Sequence, residues 1–493
     1  MRRLGICCSW RIGNFMFINF IFTIPEIFLL LMSCLILLNG VFTKNGAPKV
    51  SFYLSQITLA LTLLLLLRFF SLLGGGSNIV FSGMFILDPL SVALNSFILI
   101  AMFFTFWYSH TYNENNAIPA NEFYVLGLLA TLGMMVMISS ADFVSLFLGL
   151  ELMSLPVYAM VALIRGKSRC IEAAMKYFII GSVASGMLLY GISLFFGATH
   201  SLHFMQVAQA ISATAPNQSL ILYMGLVFVV AGIAFKLGAA PFHAWVPDVY
   251  DGAPNSVTLL ISAAPKIAGL GLAFRFLIFV APALHVQWDH VLIAIALLSI
   301  AIGNLVAIVQ TSIKRLLAYS SIAQMGYMLL GLSCGTVHGD AAALFYMTTY
   351  ALTGLGAFGV ITLLSQKGFE ANELSDFSGL GQRQPWLAFM MLLMMFSMAG
   401  IPPMVGFIAK VSILEALIQN HSIWLAVIAI IFAIIGSYYY IRVVKVMYFE
   451  KTEQSITASC PRGTSVAISI NGLAVLLLGI FPGQLFILCH AVF

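Results

Sequence analysis

AFKLGAAPFHAWVPDVYDGAPNSVTLLISAAPK, residues 234–266, is the stretch that decides the fold. Lys236 lies inside one apolar run and Lys266 inside the next. Each lysine has a helix-breaking proline near it, Pro241 and Pro265. A lysine at the centre of a membrane helix costs about 2.5–3.5 kcal/mol on insertion scales. Two such lysines in one stretch therefore require a functional reason, and ion movement is the reason they favour.

The composition is that of a polytopic membrane protein. Of 493 residues, 61% are hydrophobic and 8% are charged, with a mean hydropathy of +1.04, whereas a soluble protein has about 25% charged residues. The net charge of +5 is too small and too dispersed to indicate a nucleic-acid partner. The seven cysteines show no CxxC or histidine-flanked spacing, so neither a disulfide framework nor a metal site is predicted.

The apolar runs predict an all-α integral membrane fold of about fourteen transmembrane helices, because about 20 apolar residues cross a bilayer. We number these helices 1–14 and the loops that follow them in the same order. A short polar loop that holds Asp248 and Asp251 is predicted between helices 7 and 8. The predicted helices cover residues 15–40, 52–73, 85–108, 122–139, 142–164, 170–197, 219–245, 254–280, 288–311, 313–334, 340–366, 386–417, 421–449 and 464–490.

Loop charges support this count. The odd-numbered loops carry nearly all of the loop lysines and arginines, which is the pattern of the positive-inside rule. We therefore predict that the odd loops lie in the cytoplasm and that both termini lie outside it. Arg2, Arg3 and Arg11 at the N-terminus disagree with this topology, and a signal sequence or a start codon assigned too early are the two open explanations. The odd-loop residues are Lys44, Lys49, Arg165, Lys167, Arg169, Lys314, Arg315, Lys367, Arg383, Lys445, Lys451 and Arg462.

Five ionisable residues within the predicted helices are the candidates for ion transfer, and they are Glu151, Lys176, Lys236, Lys266 and Lys410. At about 3 kcal/mol each they would cost on the order of 15 kcal/mol if they were left unpaired in lipid. They are therefore expected to face the bundle interior, a partner or water. The alternative is a set of structural ion pairs and lysines that extend to the membrane surface, which fits Lys176 best because it lies near a helix end.

Prolines interrupt the same helices. Helix 7 is predicted to break at Pro241, and helix 12 at Gly400, Pro402 and Pro403, because a proline inside a helix removes a backbone hydrogen bond. An interrupted helix beside an ionisable group is typical of the ion site of a transporter. The alternative is that these prolines only kink their helices, since proline is common in membrane helices.

The two breaks also predict an internal repeat. They lie five helices apart, so the broken helices cross the membrane in opposite directions. Helices 4–8 and 9–13 then form two inverted five-helix repeats, each with one discontinuous helix. The predicted division is N-terminal helices 1–3 at 1–121, the repeats at 122–280 and 288–449, and a C-terminal helix 14 at 450–493, all in one continuous membrane domain.

Three motifs resemble a known family. They are PFHAWVPDVYDGAP at 241–254, KRLLAYSSIAQMGY at 314–327 and MAGIPPMVGFIAK at 398–410. Together they resemble the antiporter-like membrane subunits of respiratory complex I, the NADH-quinone oxidoreductase. The PDVYDGAP sequence and the Pro265-Lys266 pair set the chain apart from the sister subunits L and M and from Mrp-type sodium/proton antiporters. Those relatives share the preceding PFH and tryptophan residues but differ after them.

The resemblance implies a role for each buried ionisable residue. Glu151 matches the helix 5 glutamate of the family, and Lys236 matches the helix 7 lysine that is expected to pair with it. Lys266 matches a relay lysine in the middle of the membrane, and Lys410 matches the terminal lysine that faces the outer exit. Lys176 matches a lysine near the cytoplasmic inlet.

Gln324 departs from the family pattern, because many relatives carry a histidine at this position. The transfer of a proton from Lys266 to Lys410 is then expected to depend on Gln324 or on water molecules. Further candidates for this transfer are Tyr319, Ser320 and Thr348.

The resemblance further implies proton translocation driven by electron transfer from NADH to quinone. NADH, FMN, iron–sulfur clusters and quinone are expected in other subunits, because the sequence has no dinucleotide fingerprint, no cysteine cluster and no histidine pair for haem. The expected partners are the antiporter-like subunit M, the small subunit K and the lipid bilayer of a bacterial inner membrane. A subunit of an Mrp-type sodium/proton antiporter and a purely structural membrane spacer are the alternative functions.

The energies involved are compatible with a lysine relay, since a desolvated lysine can load and release a proton near neutral pH. Moving one proton against about 100 mV requires about 2.3 kcal/mol. A carboxylate that approaches a lysine changes its proton affinity by about 1.4–4 kcal/mol. We therefore expect Glu151 to act as a switch by moving toward or away from Lys236, and Lys266 to be loaded when this pair opens.

Overall fold

The computed structural model describes residues 20–43, 48–72, 74–213, 219–365, 369–451 and 462–493. Within these ranges the chain is almost entirely helical, with one two-stranded hairpin. The N-terminal arginines and the first residues of predicted helix 1 lie outside the described residues.

Eighteen helices and two strands make up the described part of the chain. The helices are α1 (Ile24–Phe42), α2 (Pro48–Leu72), α3 (Pro89–Asn115), α4 (Ala120–Ile138), α5 (Phe143–Val161), α6 (Ser168–Thr199), α7 (Phe204–Ala213), α8 (Ser219–Leu237), α9 (Trp245–Gly252), α10 (Asn255–Phe274), α11 (His285–Ile308), α12 (Ile313–Ser333), α13 (Val337–Leu364), α14 (Pro385–Ala399), α15 (Val405–Gln419), α16 (Ile423–Phe449), α17 (Arg462–Ile480) and α18 (Gly483–Ala491). The strands are β1 (Asn78–Val80) and β2 (Phe85–Leu87). A π-helical turn at Arg275–Val280 continues α10, and short turns lie at Phe81–Gly83, Pro282–Leu284, Leu374–Phe377 and Leu380–Arg383.

Thirteen helices in the described ranges are long and apolar enough to cross a membrane. Predicted helix 12 is the fourteenth crossing, and it is divided into α14 and α15 at residues 400–404, which include Pro402 and Pro403. Helix 7 is divided into α8 and α9 at residues 238–244, which include Pro241. The all-α membrane fold and its two discontinuous helices are therefore confirmed.

The predicted loop between helices 7 and 8 is wrong. Asp248 and Asp251 lie in α9, the second half of broken helix 7. Trp245 and Val249 of α9 are buried one turn apart, and Asp248 lies in the first turn, where a carboxylate complements the N-terminal end of a helix. The burial of these side chains and the carboxylate at the helix N-terminus together stabilise an eight-residue helix. The sequence had suggested a loop here because of the two aspartates.

Three other boundaries also differ from the prediction. Helix 3 begins at Pro89, because residues 85–87 form β2 and the Asp88 carboxylate caps α3 by accepting the N–H of Ser91 at 2.8 Å. The connection after α6 contains α7, an amphipathic helix too short to cross a bilayer. Predicted helix 14 is interrupted between α17 and α18.

The two five-helix repeats have matching helix contacts. In the first repeat, a Cβ atom on Gly133 of α4 would lie 2.8 Å from the carbonyl oxygen of Gly149 in α5. In the second repeat, a Cβ atom on Gly303 of α11 would lie 2.8 Å from the carbonyl oxygen of Tyr319 in α12. The first two helices of each repeat therefore approach each other backbone to backbone.

Backbone bridges mark equivalent points of the two repeats. Asp142, which precedes the second helix of the first repeat, pairs with His203 in the connection after the third helix. Ser312, which precedes the second helix of the second repeat, pairs with Glu373 in the connection after the third helix. The repeats thus share one internal plan, with their broken helices running in opposite directions.

The odd-numbered loops lie together on one face of the molecule, which we call the odd face. Arg315, in the first turn of α12 after loop 9, contacts Asp248 of α9 at 3.2 Å, and Lys167 of loop 5 contacts Glu370 of loop 11 at 2.5 Å. One helix more or fewer between the paired residues would place them on opposite faces of the molecule, so these contacts support the helix count. We call the opposite face the even face.

A buried ion pair lies at the even face. The Arg275 guanidinium donates to both carboxylate oxygens of Asp88 at 2.7 Å, and its Nε donates to the carbonyl of Ile138 at 2.7 Å. Burial alone would raise the pKa of Asp88, but the hydrogen bonds and the charge of Arg275 hold this pKa below its usual value. The pair therefore ties α3, α4 and the end of α10 together.

Asp88→Ala should destabilise the protein by about 3–5 kcal/mol, because it leaves Arg275 buried without a counter-charge. Thermal unfolding of the purified protein measures this loss. Lys167→Gln is the matched control, since the Lys167 side chain is 49% exposed and such a surface pair contributes only about 0–1 kcal/mol. Equal shifts in the two variants would contradict the structural role of the buried pair.

Candidate ion-transfer site

Lys266 lies at the break of helix 7. All of α10 is buried, and Lys266 itself is 1% exposed. Its Nζ donates to the carbonyl of Leu237, the last residue of α8, and lies 5.8 Å from the centre of the Trp245 ring. The ammonium group therefore rests between the end of one half-helix and an aromatic ring of the other.

Gly238 makes room for this contact. Its φ of +71° is in the left-handed region, which ends α8 and which glycine adopts without strain. A Cβ atom at this position would lie 3.0 Å from Nζ of Lys266 and 2.6 Å from a methyl group of Val246. Any larger residue would therefore push the lysine away from the helix end.

Lys410 repeats this arrangement at the break of helix 12. Its Nζ donates to the carbonyls of Met398 at 3.0 Å and Ala399 at 2.9 Å, and lies 5.4 Å from the centre of the Tyr327 ring. Gly400 follows these carbonyls with a φ of +81°. Each of the two lysines therefore bonds the carbonyl that immediately precedes a left-handed glycine.

The helix ends take the place of carboxylates at these two lysines. The last carbonyls of a helix have no partner within the helix, and they carry the negative end of its dipole. Among the described residues, no carboxylate oxygen lies within 4.0 Å of Nζ of Lys266 or Lys410. The carbonyls are therefore their nearest source of negative charge.

Lys236 is bonded by hydroxyl groups. Its Nζ donates to Ser154 Oγ at 2.8 Å and to the Tyr158 hydroxyl at 3.4 Å, and Ser154 Oγ in turn donates to the carbonyl of Leu150. The expected ion pair with Glu151 is not a direct contact here, and Glu151 Oε1 is buried without a hydrogen-bond partner among the described residues. Ser154 and Tyr158 were not predicted. Their spacing of three and seven residues from Glu151 places all three on one face of α5, which is a signal that the sequence contains.

Gln324 connects the break of helix 12 to two tyrosines. Its Nε2 donates to the carbonyl of Met398 at 3.2 Å, the same oxygen that accepts from Lys410, and to the Tyr440 hydroxyl at 2.8 Å. Its Oε1 accepts from the Tyr346 hydroxyl. A cavity of about 10 Å³ lies between Gln324 and Lys410, which is near the smallest volume that holds one water molecule.

The other predicted candidates for the last transfer have different surroundings. Ser320 joins the network through a hydrogen bond with the Tyr440 hydroxyl. Thr348 is half-buried and donates to the carbonyl of Leu344 in its own helix. Tyr319 is half-buried and packs against the core. The structure brings only Ser320 to the group around Gln324.

Lys176 lies at the odd face, apart from the buried lysines. Its side chain is 45% exposed and forms salt bridges with Glu172 at 2.9 Å and Asp248 at 3.0 Å. This position fits a lysine whose ammonium group reaches the membrane surface.

Lys314 is a buried lysine that the sequence indicated only as a loop charge. It is 1% exposed, and its Nζ donates to Asn255 Oδ1 at 2.8 Å and to the carbonyl of Ala253 at 3.3 Å. The side chain of Ser312 caps α12 and so places Lys314 inside the first turn of that helix. An N-cap serine just before the lysine was the available signal.

These residue types can carry out acid–base chemistry. Lysine, glutamate and tyrosine side chains can gain or lose a proton, and the hydroxyl, amide and carbonyl groups between them can donate or accept hydrogen bonds. Within the described ranges, no group of three or more His, Cys, Asp or Glu side chains is arranged to hold a metal ion.

Known proteins that are similar to this chain define its class. Residues 140–436 match the family described as NADH:quinone oxidoreductase/Mrp antiporter, TM, so the chain is an antiporter-type membrane subunit. A NADH-quinone oxidoreductase subunit N from Coxiella burnetii is 58% identical over 477 residues, which cover 96% of this chain and 99% of that protein. The subunit N from Herminiimonas arsenicoxydans is 48% identical over 486 residues, which cover 96% and 98%. The chain belongs to the NADH-quinone oxidoreductase subunit N family.

Solved structures share the fold. A chain of respiratory complex I from Thermus thermophilus matches with a TM-score of 0.81 at 30% identity, covering 95% of this chain and 100% of that chain. A chain of the Mrp complex from Dietzia matches with a TM-score of 0.85 at 18% identity, covering 95% and 96%. The second likeness shows the fold alone.

Gly400→Ala should lower the thermal stability of the protein. A left-handed backbone costs an alanine about 1–2 kcal/mol, and its Cβ would also lie 2.8 Å from Cδ of Lys410. Gly186→Ala is the matched control, because that glycine lies inside α6 with no atom within 4 Å of an added Cβ, and alanine is the better helix former. A Gly400→Ala variant as stable as the control would contradict the close contact.

Proposed function

We propose that this chain translocates protons as a membrane subunit of NADH-quinone oxidoreductase, through Glu151, Lys236, Lys266 and Lys410. The observation that carries the proposal is that Lys266 and Lys410 are each held by carbonyls at a broken helix, with no carboxylate among the described residues within 4.0 Å. A carboxylate partner would strongly favour the charged lysine. A carbonyl at a helix end accepts a hydrogen bond from the ammonium and from the neutral amine. Its partial negative charge favours the ammonium less than a full carboxylate charge would.

Glu151 is the switch in this proposal. In the structure Lys236 is bonded by Ser154 and Tyr158, and Glu151 lies on the same face of α5 as these two residues without forming an ion pair with Lys236. Movement of this carboxylate toward Lys236 would favour the charged lysine, and movement away would favour release of its proton. The energy of such a change, about 1.4–4 kcal/mol, is comparable to the cost of moving a proton across a charged membrane.

Gln324 positions the groups for the proton transfer to Lys410 in this proposal. An amide does not titrate, but it donates and accepts hydrogen bonds at the same time. Gln324 shares the Met398 carbonyl with Lys410 and borders the same small cavity. One water molecule in that cavity would connect Lys410 with Gln324 and Tyr346, which both line it. This arrangement supports a path that needs no histidine.

The redox chemistry belongs to other subunits in this proposal. Relatives of the chain bear the name NADH-quinone oxidoreductase subunit N, so we infer that electrons pass from NADH to quinone through FMN and iron–sulfur clusters outside this chain. Subunits M and K are the proposed neighbours. The odd face is then cytoplasmic, with both termini on the periplasmic side of a bacterial inner membrane. Residues 122–280 and 288–449 are the two proposed proton-conducting units.

Lys236→Met should lower proton translocation by at least about tenfold, since a positioned proton-transfer group contributes about 100-fold or more. The ratio of protons to electrons, measured in vesicles that contain the assembled complex and oxidise NADH, reports this loss. Lys451→Gln is the matched control, because Lys451 is exposed beyond the end of α16. An unaltered proton-to-electron ratio in Lys236→Met would refute the assignment.

Copurification separates the proposed function from the alternative of an Mrp-type antiporter. We expect a tagged chain to be isolated together with peripheral subunits that contain iron–sulfur clusters, which absorption and electron paramagnetic resonance spectra detect. Isolation with only small membrane subunits, together with sodium-dependent proton exchange, would instead favour the antiporter.

A further inference from the structure

We propose that the chain binds the headgroup of an anionic phospholipid of the phosphatidylglycerol type at the odd-face end of α16. A cleft of about 470 Å³ lies there between α16, the residue Thr311 just before α12 and the connection after α13. We call it the α16 cleft. It shares no lining residue with the proton path, so this inference does not depend on the proposed function.

Two cations line the α16 cleft. Arg442 is held in place by hydrogen bonds from Nη1 to the carbonyls of Ile308 at 3.0 Å and Gln310 at 3.4 Å. Lys445 is exposed three residues further on, so both cations lie on one face of the helix. Among the described residues, no carboxylate oxygen lies within 4.0 Å of either cation. A fixed guanidinium with free N–H groups beside a mobile ammonium is well suited to a phosphodiester.

The carboxylates of Glu373 and Glu450 also line the cleft. They can accept hydrogen bonds from a headgroup that carries hydroxyl groups. The Glu373 carboxylate accepts the backbone N–H of Asp376 and is thereby directed toward its own chain. Glu450 lies beyond the end of α16, about 12 Å along the helix direction from Arg442. One free carboxylate and the exposed Ser375 hydroxyl can bond the hydroxyl groups of a glycerol headgroup, while the two cations bind its phosphate.

The membrane side of the cleft continues into an exposed apolar surface. Ile430, Ile434, Tyr438 and Ile441 follow each other at spacings of three or four residues, and their exposed fractions are 43, 67, 58 and 48%. This spacing places them in one stripe along α16, about 16 Å long. Tyrosine is common at the level of the lipid headgroups. An apolar stripe that ends at two cations matches an acyl chain joined to a phosphate, which favours a lipid over a free phosphate or a protein.

A photoactivatable phosphatidylglycerol with a diazirine in its acyl chain tests the proposal. The probe is added to the purified complex in detergent, and the adducts are mapped by mass spectrometry of peptides. We expect adducts on α16 between Ile430 and Val446. Excess phosphatidylglycerol should suppress them, whereas phosphatidylethanolamine and glycerol 3-phosphate should not. The double variant Arg442→Gln/Lys445→Gln should lower the yield about tenfold, since it removes two charge-assisted contacts.

Lys49→Gln/Arg165→Gln is the matched control, because it removes two exposed cations from odd-numbered loops outside the cleft. Its adduct yield on α16 should equal that of the unaltered protein. If the double variant at the cleft does not assemble, Lys445→Gln alone changes an exposed side chain and should still lower the yield several-fold.

Four results would overturn the proposal. An unchanged yield in the cleft variants would show that the cations do not bind the lipid, and equal suppression by phosphatidylethanolamine would remove the preference for an anionic headgroup. Suppression by glycerol 3-phosphate would indicate a site for soluble phosphate. The absence of adducts on α16 in the unaltered complex would show that a neighbouring chain covers this face.

Discussion

An ammonium group in the hydrocarbon layer needs a source of negative charge, and this constraint shapes the centre of the molecule. The chain meets it by ending helices inside the membrane, because the last carbonyls of a helix are left without partners. Lys266 and Lys410 each donate to the carbonyl just before a break. Gly238 and Gly400 make both contacts possible, since their left-handed backbone ends the helix and leaves the space that a side chain would occupy.

Both repeats have a helix break whose carbonyls bond a lysine, but the side chains around the two breaks differ. In the first repeat Lys236 is bonded by hydroxyls close to a carboxylate, so its charge can respond to the position of Glu151. In the second repeat the titratable carboxylate is replaced by Gln324 and a pair of tyrosines that do not ionise near neutral pH. In the proposed function, the first repeat therefore controls a proton and the second conducts it.

Much of this arrangement follows from residue types and spacing. A left-handed glycine followed by proline marks both breaks, Gly238 before Pro241 and Gly400 before Pro402, because backbone conformation is a local property. Pro265 alone leaves α10 continuous. The partners Ser154, Tyr158, Tyr346 and Tyr440 did not follow, since a hydroxyl in an apolar helix looks alike whether it faces lipid or a lysine. The hairpin of β1 and β2 was missed because a strand of three residues carries little pattern. The short helix α7 was missed because its amphipathic pattern, with Phe204, Val207 and Ile211 buried, is too short to indicate a membrane crossing.

The sequence by itself determined the class of the protein, the number of crossings, the two interrupted helices and the positions of Lys236, Lys266 and Lys410 within membrane helices, because the cost of a charge or a proline in lipid does not depend on distant residues. Only the tertiary structure decided which groups those lysines contact. Lys410 bonds carbonyls 11 and 12 residues back, across the break of its own helix. The packing of α10 against the break of helix 7 placed the Leu237 carbonyl beside Lys266, and the packing of α5 against α8 placed the Ser154 and Tyr158 hydroxyls, rather than Glu151, beside Lys236. These last contacts depend on how whole helices rotate and pack, which no single stretch of the chain specifies.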